Sequence, residues 1–324
     1  MHGNGGEKMT TKDRVLTLLT ACKGAYLSGE ELAQSLKLSR AAVWKAVSAL
    51  KEMGLPIKTQ PGRGYCLEAG ADFLTRGGIE SRLEPGSNWS VQVLGEVTST
   101  NALLRQQAGA GAPDGTVLIA GSQSQGRGRL GRSFYSPADT GVYLSVLLRR
   151  AWGPLEARRL TTMAALAACR AVQQVSGKKA GIKWVNDVFL EGKKVCGILT
   201  EAAFSLEDGK LEYAVVGAGF NAHCPPGGFP EELASVAGPV FDSPQEEGRN
   251  RLAAAFLNAF AGVLAAPQTY PQAYKENCLV LGKTVLAGTR RAKVLDLDED
   301  CGLLVQYEDG TRETLTAGEI SVKL

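Results

Sequence analysis

Three arginines and three glycines occupy the seven positions 126–132, GRGRLGR, which we call the arginine loop. Glycine lets a backbone approach a ligand closely. The guanidinium groups of Arg127 and Arg129 donate paired hydrogen bonds that match carboxylate or phosphate oxygens. The combination predicts a flexible loop that gathers main-chain N–H groups and positive charge around a small anionic ligand.

Two other interpretations of the arginine loop fit less well. Gly126, Gly128 and Gly131 spell GxGxxG, but a dinucleotide-binding turn needs a helix directly after the glycines, and the next regular segment here resembles a strand. Arg-Gly runs also bind nucleic acid backbones. This run is isolated in a nearly neutral region between apolar strand-like segments. A nucleic-acid patch therefore fits less well than a loop that binds a small anion.

A second group of charged residues stands in KWVND (183–187) and GKKVCGIL (192–199). A tight turn between the two segments would reverse the chain and place Lys194 at the start of the next strand. If the segments form a hairpin, Lys183, Asp187 and Lys194 come close together. A surface hairpin with ordinary salt bridges is the alternative.

Strand-like and helix-like segments alternate over residues 73–272, without strict βαβ order and without a repeat. They predict a mixed α/β domain. The expected strands are 90–97, 116–123, 141–149, 180–190, 193–204 and 212–222. The expected helices are 101–109, 154–175 and 246–265.

Residues 1–70 predict a winged helix-turn-helix domain. Helix-like segments cover 12–22, 28–37 and 39–54, and the second opens with Ser28 and Glu31 at capping-box spacing. A hairpin with a basic Pro-Gly-Arg-Gly tip (61–64) follows as the wing. A small helical packing or dimerisation module is the alternative.

The third helix of this region is expected to pack on one side only. At 100° per residue, the packed face contains Ala42, Val43, Ala46, Ala49, Leu50 and Met53. The outward side chains, which would reach DNA together with Arg63 of the wing, are Arg40, Trp44, Lys45, Ser48 and Lys51. Residues 1–70 carry ten Lys/Arg against six Asp/Glu, so the positive charge is concentrated there.

The last fifty residues change to short alternating strands with an Asp309-Gly310 turn, which predict a small β-barrel. A length of 324 residues with 44% apolar composition fits two or three folded domains. Seven scattered cysteines without a CxxC pair predict neither a disulfide framework nor a metal site. The sequence offers no signal-peptide core and no membrane-spanning segment, so we expect a cytoplasmic protein.

The motifs, together with STN (99–101) and GAGFN (217–221), stand in the order and approximate spacing of the biotin protein ligases, which this chain resembles from about residue 11 to residue 324. The pair GRGRxGR and KWxND is far more specific than a single glycine motif. The winged helix makes the chain resemble the bifunctional form, which is both a ligase and the repressor of the biotin operon. The resemblance implies an α+β fold: a winged helix-turn-helix at 1–70, a mixed α/β catalytic domain at 73–272 and an SH3-like β-barrel at 276–324.

The family resemblance implies a two-step reaction. Biotin and ATP give biotinyl-5′-AMP and pyrophosphate, and biotin then passes to a lysine of a biotin carboxyl carrier protein. In the first step a carboxylate meets an α-phosphate, and two unit charges about 4 Å apart repel by roughly 4 kcal/mol at an effective dielectric of 20. The arginine loop, Lys194 and Mg²⁺ on the β and γ phosphates are the groups expected to offset this repulsion.

The resemblance also assigns roles to individual residues. The biotin-binding set is Ser99, Thr100, Asn101, Gln123, Arg127, Gly128, Arg129 and Lys194. The nucleotide-binding set is Gly126, Arg132, Phe134, Asn186 and Asn221, with Phe134 expected to stack on adenine. The catalytic set is Arg127, Arg129, Lys183, Asp187 and Lys194, with Asp187 expected to orient or deprotonate the acceptor lysine.

Two positions depart from the family pattern. Val185 replaces the proline of KWPND and is expected to loosen that turn. Lys323 stands where an arginine reaching toward the nucleotide is expected, and lysine keeps the charge but loses the planar fork. A lipoate or octanoate ligase and a ligand-sensing repressor without ligase activity are the alternative functions. The implied partners are the carrier protein, operator DNA and a second copy in a ligand-promoted homodimer.

Overall fold

The chain forms two compact units in the computed structural model, which describes residues 10–52, 55–70, 72–205, 207–318 and 320–322. The first unit extends to Phe73 and includes Gln245–Glu247, and the second comprises Leu74–Pro244 and the residues from Gly248 onward. The further division of the second unit at about residue 276 stays a prediction.

Three helices form most of the first unit: α1 (Thr11–Ala21), α2 (Gly29–Leu36) and α3 (Arg40–Glu52). The predicted capping box begins α2. The Glu31 N–H donates to Ser28 Oγ at 3.0 Å, and the Ser28 N–H donates to Glu31 Oε2 at 2.7 Å. These bonds satisfy backbone donors that have no partner inside the helix, and they fix where α2 begins.

Helix α3 packs on one side, as the sequence predicts. The α3 residues that join the core of the first unit are Val43, Ala46, Val47 and Leu50. Val47 belongs to this face although the predicted set omits it. Ala42 and Ala49 are half-buried at its margin, whereas Met53 and Gly54 lie outside the described residues.

The predicted wing is present as the antiparallel pair β1 (Ile57–Gln60) and β2 (Gly64–Leu67). Gln60 pairs with Gly64, so three residues form the tip. Gly64 has φ +104°, and a Cβ there would lie 2.1 Å from the Leu27 carbonyl oxygen. Only glycine fits at this position, both for its backbone conformation and for space.

The second unit contains a seven-stranded sheet with helices on both faces. In chain order its elements are α4 (Arg76–Glu80), β3 (Ser90–Val97), α5 (Thr100–Gly109), β4 (Thr116–Gln123), β5 (Gly141–Leu148), α6 (Pro154–Ser176), β6 (Ala180–Lys183), β7 (Asp187–Leu190), β8 (Lys193–Phe204), β9 (Leu211–Asn221), α7 (Glu231–Ala234), α8 (Gly248–Ala265) and α9 (Tyr270–Glu276). The strand order is β3-β4-β5-β9-β8-β7-β6, with β3 and β4 parallel and the other neighbours antiparallel.

The predicted strands and long helices of this unit are present, with one correction. The single strand expected over 180–190 is two strands, β6 and β7, joined by a turn at 184–186. The short helices α4, α7 and α9 have no counterpart in the prediction. Helices of four to seven residues span too few turns to show a clear hydrophobic period.

Alternate residues of the strands point to opposite faces of the sheet and contact different helices. Leu118 and Leu147 pack with Leu104 of α5 on one face. Val117 and Val146 belong to the larger core that α6 and α8 cover on the other face. Strand β5 is buried along its whole length because both of its faces are covered. The mixed α/β fold is thus confirmed.

A second, antiparallel sheet ends the chain. Its strands are β10 (Thr284–Ala287), β11 (Arg290–Leu297), β12 (Leu303–Tyr307), β13 (Arg312–Leu315) and β14 (Ile320–Ser321), in the order β13-β12-β11-β10-β14. The predicted Asp309-Gly310 turn joins β12 to β13, with Gly310 at φ +85°. Within 280–318 and 320–322 the first and last strands of this order do not pair, so the SH3-like barrel stays a prediction.

None of the helices α1–α9 in the described part of the chain offers an apolar stretch sufficient to traverse a lipid bilayer.

Candidate active site

One cavity in the second unit brings the predicted motifs together. It lies where the start of α5 and the end of β4 meet the arginine loop, above the middle of β8 and β9. The residues that define it are Ser99, Thr100 and Asn101, Gln123, Arg127 and Phe134, and Gly197, Gly217 and Gly219. The motifs STN, QSQGRGRLGR, GKKVCGIL and GAGFN, which stand apart in the sequence, therefore line one site.

Gln123 links the start of α5 to the segment that follows the arginine loop. The Thr100 N–H donates to Gln123 Oε1 at 2.9 Å, and Thr100 Oγ1 lies 3.2 Å from the same oxygen. Gln123 Nε2 donates to Ser136 Oγ at 2.9 Å. Ser99 caps α5 by accepting the Ala102 N–H at 3.5 Å. These bonds fix short polar groups at one end of the cavity.

Asn101 is buried and belongs to a second set of hydrogen bonds. Its Nδ2 donates to the Leu199 carbonyl at 3.3 Å and to Glu201 Oε2 at 2.9 Å. Ser145 Oγ lies 2.6 Å from Asn101 Oδ1 and 2.8 Å from Thr100 Oγ1. Sequence analysis identifies Asn101 but misses Ser145 and Glu201, because strand alternation predicts only whether those two are buried.

The floor of the cavity consists of glycine backbone from β9. A Cβ at Gly219 would lie 2.6 Å from the Phe134 ring, and a Cβ at Gly217 would lie 2.2 Å from Asn101 Oδ1. Space therefore requires glycine at both positions. The Phe134 ring meets Tyr143 edge to face at 6.4 Å. The structure places this ring beside the predicted biotin-binding residues, and its stacking on adenine stays a prediction.

Tyr143 is a further wall residue that the sequence does not single out. Burial raises the pKa of Tyr143 to about 12. The hydroxyl therefore remains protonated at neutral pH and donates to the Pro137 carbonyl at 3.0 Å. This bond ties β5 to the end of the segment that closes the cavity.

The arginine loop folds back on itself. The Gly128 N–H donates to the Arg132 carbonyl at 2.7 Å, and the Phe134 N–H donates to the Gly126 carbonyl at 2.9 Å. A single 3₁₀ turn at Arg129–Gly131 interrupts it, and strand β5 is the next regular element. No helix start follows the glycines, which is inconsistent with a dinucleotide-binding turn.

The three arginines of the loop differ in their surroundings. Arg127 is exposed and lines the cavity. Arg129 is half-buried, and its NH1 donates to Asn186 Oδ1 at 3.1 Å, which connects the arginine loop to the KWVND segment. Arg132 is exposed. Of these three arginines, Arg127 is the one that lines the cavity.

Lys194 and Asp187 come together as the sequence predicts. The β7–β8 hairpin places Lys194 Nζ 2.8 Å from Asp187 Oδ1, with the two side chains 32% and 22% exposed. A Cβ at Gly197 would lie 3.3 Å from both Lys194 Nζ and the Phe134 ring, so the ammonium group borders the cavity. Asn221 Nδ2 donates to the Lys194 carbonyl at 3.2 Å. The lysine is therefore held in place and still reachable.

The KWVND turn is anchored on two sides. Trp184 Nε1 donates to the Cys301 carbonyl at 2.8 Å, and the Tyr274 hydroxyl donates to the Val185 carbonyl at 3.0 Å. Burial raises the pKa of Tyr274 well above its usual value, which keeps this donor protonated. Lys183 pairs with Asp187 in the β6–β7 register, and its Nζ lies 5.9 Å from the Phe189 ring centre. The loosening expected from Val185 stays a prediction, and Lys323 lies outside the described residues.

The first unit presents the side chains predicted to contact DNA. Arg40, Trp44, Lys45 and Lys51 are exposed and Ser48 is half-buried. Trp44 is 63% exposed, an unusual position for so large an apolar side chain.

Two of the predicted DNA contacts also have partners within the first unit. Lys51 Nζ donates to Thr59 Oγ1 at 2.7 Å. The guanidinium of Arg63 lies 4.5 Å from the Tyr26 ring centre, which fixes the wing tip.

Comparison with known proteins gives the same assignment along the chain. The Biotin/lipoate A/B protein ligase family matches residues 94–221, an HTH domain matches 11–66, and the Biotin protein ligase C terminal domain matches 280–323. The bifunctional ligase/repressor BirA of Escherichia coli (strain K12) is 30% identical over 93% of this chain and 94% of its own length. The chain belongs to the biotin protein ligase family.

Other biotin protein ligases agree with this membership. The bifunctional ligase/repressor BirA of Bacillus subtilis (strain 168) is 26% identical over 96% of this chain and 98% of its own length. The structure of the biotin protein ligase from Aquifex aeolicus in complex with biotin and ATP is 28% identical, with a TM-score of 0.59 over 72% of this chain and 97% of that chain. The family resemblance expected from the motifs is confirmed.

Proposed function

We propose that the chain activates biotin with ATP to biotinyl-5′-AMP and pyrophosphate, transfers biotin to a lysine of a biotin carboxyl carrier protein, and represses biotin biosynthesis genes through its HTH domain. The observation that carries the ligase activity is the cavity. A pocket with polar groups at one end, the apolar side chains of Leu144 and Leu199 in its wall and a glycine floor opens beside Lys194 and the arginine loop. A neutral ring system and a carboxylate can thus occupy adjacent places in one site.

The cations at the cavity mouth account for the first step. Arg127 and Lys194 would contact the biotin carboxylate and the α-phosphate, and we assign Arg129, which is hydrogen-bonded to Asn186, to the same group of cations. Fixed positive charge lowers the barrier because it needs no reorganisation as charge develops on the phosphate. Gly126 would supply a main-chain donor, Gly128 would let the backbone approach the ligand closely, and Arg132, Phe134 and Asn221 would border the nucleotide.

Mg²⁺ fits this site only as an ion carried by the phosphates of ATP. Among the described residues there is no cluster of His, Cys, Asp and Glu that could hold a metal on its own. Mg²⁺ often relies on substrate phosphates, water and one or two protein oxygens. We assign the amide oxygen of Asn221 to this role, since that of Asn186 accepts a hydrogen bond from Arg129. When bound, the ion would reduce the negative charge of the β and γ phosphates.

The position of Asp187 supports a role in the second step. It pairs with Lys194 at 2.8 Å and is partly exposed, so the ammonium of an incoming carrier lysine can approach its carboxylate. The lysine must lose a proton before it attacks the carbonyl of the adenylate. We assign to Asp187 the orientation of that amine and the acceptance of its proton.

One assay separates the ligase from its alternatives. Purified full-length protein is incubated with ATP, Mg²⁺, a biotin carrier domain and either biotin or lipoate, and the carrier is weighed by mass spectrometry. A mass gain of one biotin on the carrier lysine is expected, and omission of Mg²⁺ with EDTA present should abolish it. A lipoyl gain would select the lipoate ligase, and no gain with either acid would select a sensing repressor.

The HTH domain assigns operator DNA as a second partner, and one recognition helix binds DNA too weakly to act alone. A homodimer on a palindromic site solves this, and a ligand-promoted dimer would couple repression to unused adenylate. Sedimentation is expected to show more dimer with biotin plus ATP than without. Unchanged dimerisation together with unchanged operator affinity would contradict the coupling.

We also propose the domain boundaries, the form of the C-terminal sheet and the location of the protein in the cell. Three separate family matches, at 11–66, 94–221 and 280–323, support a division into three parts, which we place at 1–70, 73–272 and 276–324. The five-stranded C-terminal sheet supports an SH3-like barrel. A protein that binds operator DNA works where the chromosome is, so we assign it to the cytoplasm.

A further inference from the structure

We infer that Glu201, which stands outside the cavity, is a positioning residue for biotin because it sets the direction of a hydrogen-bond chain that ends at Thr100. The inference rests on the proposed biotin site. Asn101 lies at the cavity wall. Both N–H donors of the buried Asn101 amide and one lone pair of its Oδ1 are used by protein groups, so the orientation of Asn101 is passed on to its neighbours.

The orientation of the Asn101 amide follows from its partners. The Leu199 carbonyl and the Glu201 carboxylate can only accept hydrogen bonds, so the NH₂ group must face them. The Leu199 contact is long, at 3.3 Å, whereas the Glu201 contact is 2.9 Å and charge-assisted. Glu201 is therefore the stronger determinant of which way the amide points.

The amide orientation fixes the next two hydroxyl groups. With its NH₂ turned to Glu201, Asn101 presents Oδ1 to Ser145, so the Ser145 hydroxyl must donate to it at 2.6 Å. Ser145 Oγ can then only accept from Thr100, at 2.8 Å. The Thr100 proton is used by Ser145 or by Gln123 Oε1, at 3.2 Å. In either case no neighbour donates to the Thr100 oxygen, which leaves it an acceptor toward the cavity.

An acceptor at Thr100 matches the chemistry of a cyclic urea. The ureido ring of biotin has two N–H donors, and a buried donor that meets another donor loses its hydrogen bond and costs about 1–3 kcal/mol. If the Asn101 amide turned over, its NH₂ would donate to Ser145, and Ser145 would donate to Thr100. Ser145 would then no longer accept the Thr100 proton, which would be left to the longer 3.2 Å contact with Gln123 Oε1 or would point into the cavity, where it would meet a ureido N–H. Glu201 thus favours the hydrogen-bond polarity that the ligand needs.

The other oxygen of the Glu201 carboxylate forms an ion pair. Arg105, one helical turn after Asn101 on α5, donates from NH1 to Glu201 Oε1 at 2.6 Å. This pair is partly exposed, with side chains 46% and 24% accessible, so it contributes little energy of its own. We therefore expect the acceptor oxygen at position 201 to matter for biotin and the Arg105 charge to matter little.

The test measures biotin affinity by calorimetry without ATP and the kinetics of adenylate formation with it. Glu201→Ala is expected to weaken biotin binding and raise the KM for biotin about tenfold, with kcat changed less than about threefold, as loss of one hydrogen bond to the ligand predicts. Glu201→Gln retains an acceptor oxygen and is expected to restore affinity to within about threefold of wild type. Ser145→Ala interrupts the chain and should resemble Glu201→Ala.

Two control variants separate this role from general stability. Glu212→Ala removes an exposed carboxylate from the neighbouring strand β9, and Arg105→Ala removes only the outer ion pair, so both should bind biotin like wild type. All variants are compared well below their melting temperatures. Unchanged biotin affinity in folded Glu201→Ala or Ser145→Ala would overturn the inference, as would a Glu201→Gln variant as weak as Glu201→Ala. If wild type itself binds no biotin, the proposed function fails, and the inference fails with it.

Discussion

Lys194→Met is expected to slow the formation of biotinyl-5′-AMP by about 10²- to 10³-fold, which is the usual loss when one preorganised donor to developing charge is removed. Methionine has a similar length and no charge. Lys194 borders the cavity floor at Gly197 and is held by its pair with Asp187. The substitution therefore removes a cation that borders the cavity in which we propose that carboxylate and phosphate meet. The rate is measured as pyrophosphate release in a single turnover.

The arginine loop should act together with Lys194. Combined replacement of Arg127 and Arg129 by glutamine with Lys194→Met is expected to leave almost no adenylation. The total loss should be smaller than the product of the single losses, because groups that act as a unit are not additive. Lys210→Met, at an exposed lysine outside the cavity, is the matched control. If the triple variant forms adenylate at the wild-type rate, electrostatic stabilisation is not what the loop provides.

Replacing Arg40, Trp44 and Lys45 together by alanine is expected to weaken operator binding by at least about 100-fold at fixed salt, since each contact to a base typically contributes about 1–3 kcal/mol. The three side chains are exposed on α3 and take no part in the core of the first unit. The substitutions should therefore leave that unit folded. Binding is measured by fluorescence anisotropy on a duplex that the wild-type protein selects from a random library.

The same triple variant also shows whether the substitutions affect DNA binding alone. Loss of two positive charges should also reduce the salt dependence of binding, because fewer counterions are released. Biotinylation of the carrier domain is measured in parallel and should be retained. Gln34→Ala, at an exposed residue of α2, serves as the control for a neutral change in the same unit. Operator affinity equal to wild type would exclude α3 as the recognition helix.

Local signals in the sequence are sufficient for much of the fold. Ser28 and Glu31 mark the start of α2 because a capping box is formed by residues three positions apart. The prediction of a single strand over 180–190 was wrong because the turn that divides it depends on distant residues. The turn at 184–186 is held by Cys301 and Tyr274, which stand about 90 or more residues away, and no local pattern records those contacts.

The candidate site likewise combines residues that local sequence identifies with residues that only long-range contacts reveal. Motifs locate Thr100, Gln123 and Lys194, and the hairpin spacing is enough to predict that Lys194 meets Asp187. Ser145 and Glu201 escape sequence analysis because a serine or glutamate in a strand gives no sign of its partner. Their role becomes visible only when β5 and β8 are placed on either side of β9 and next to α5.

The hydrophobic cores show which parts of the chain can be exchanged. Val15, Leu32 and Val43 belong to a core confined to the first unit. Val285 and Val305 of the C-terminal sheet belong instead to the same core as α6 and α8 of the second unit. The DNA-binding unit therefore has a hydrophobic core of its own, and substitutions in that core are expected to leave the core of the catalytic unit unchanged. The C-terminal sheet shares its core with α6 and α8, so its removal would expose apolar residues of those helices to solvent. The two ends of the chain therefore differ in how far they can change without disturbing the catalytic unit.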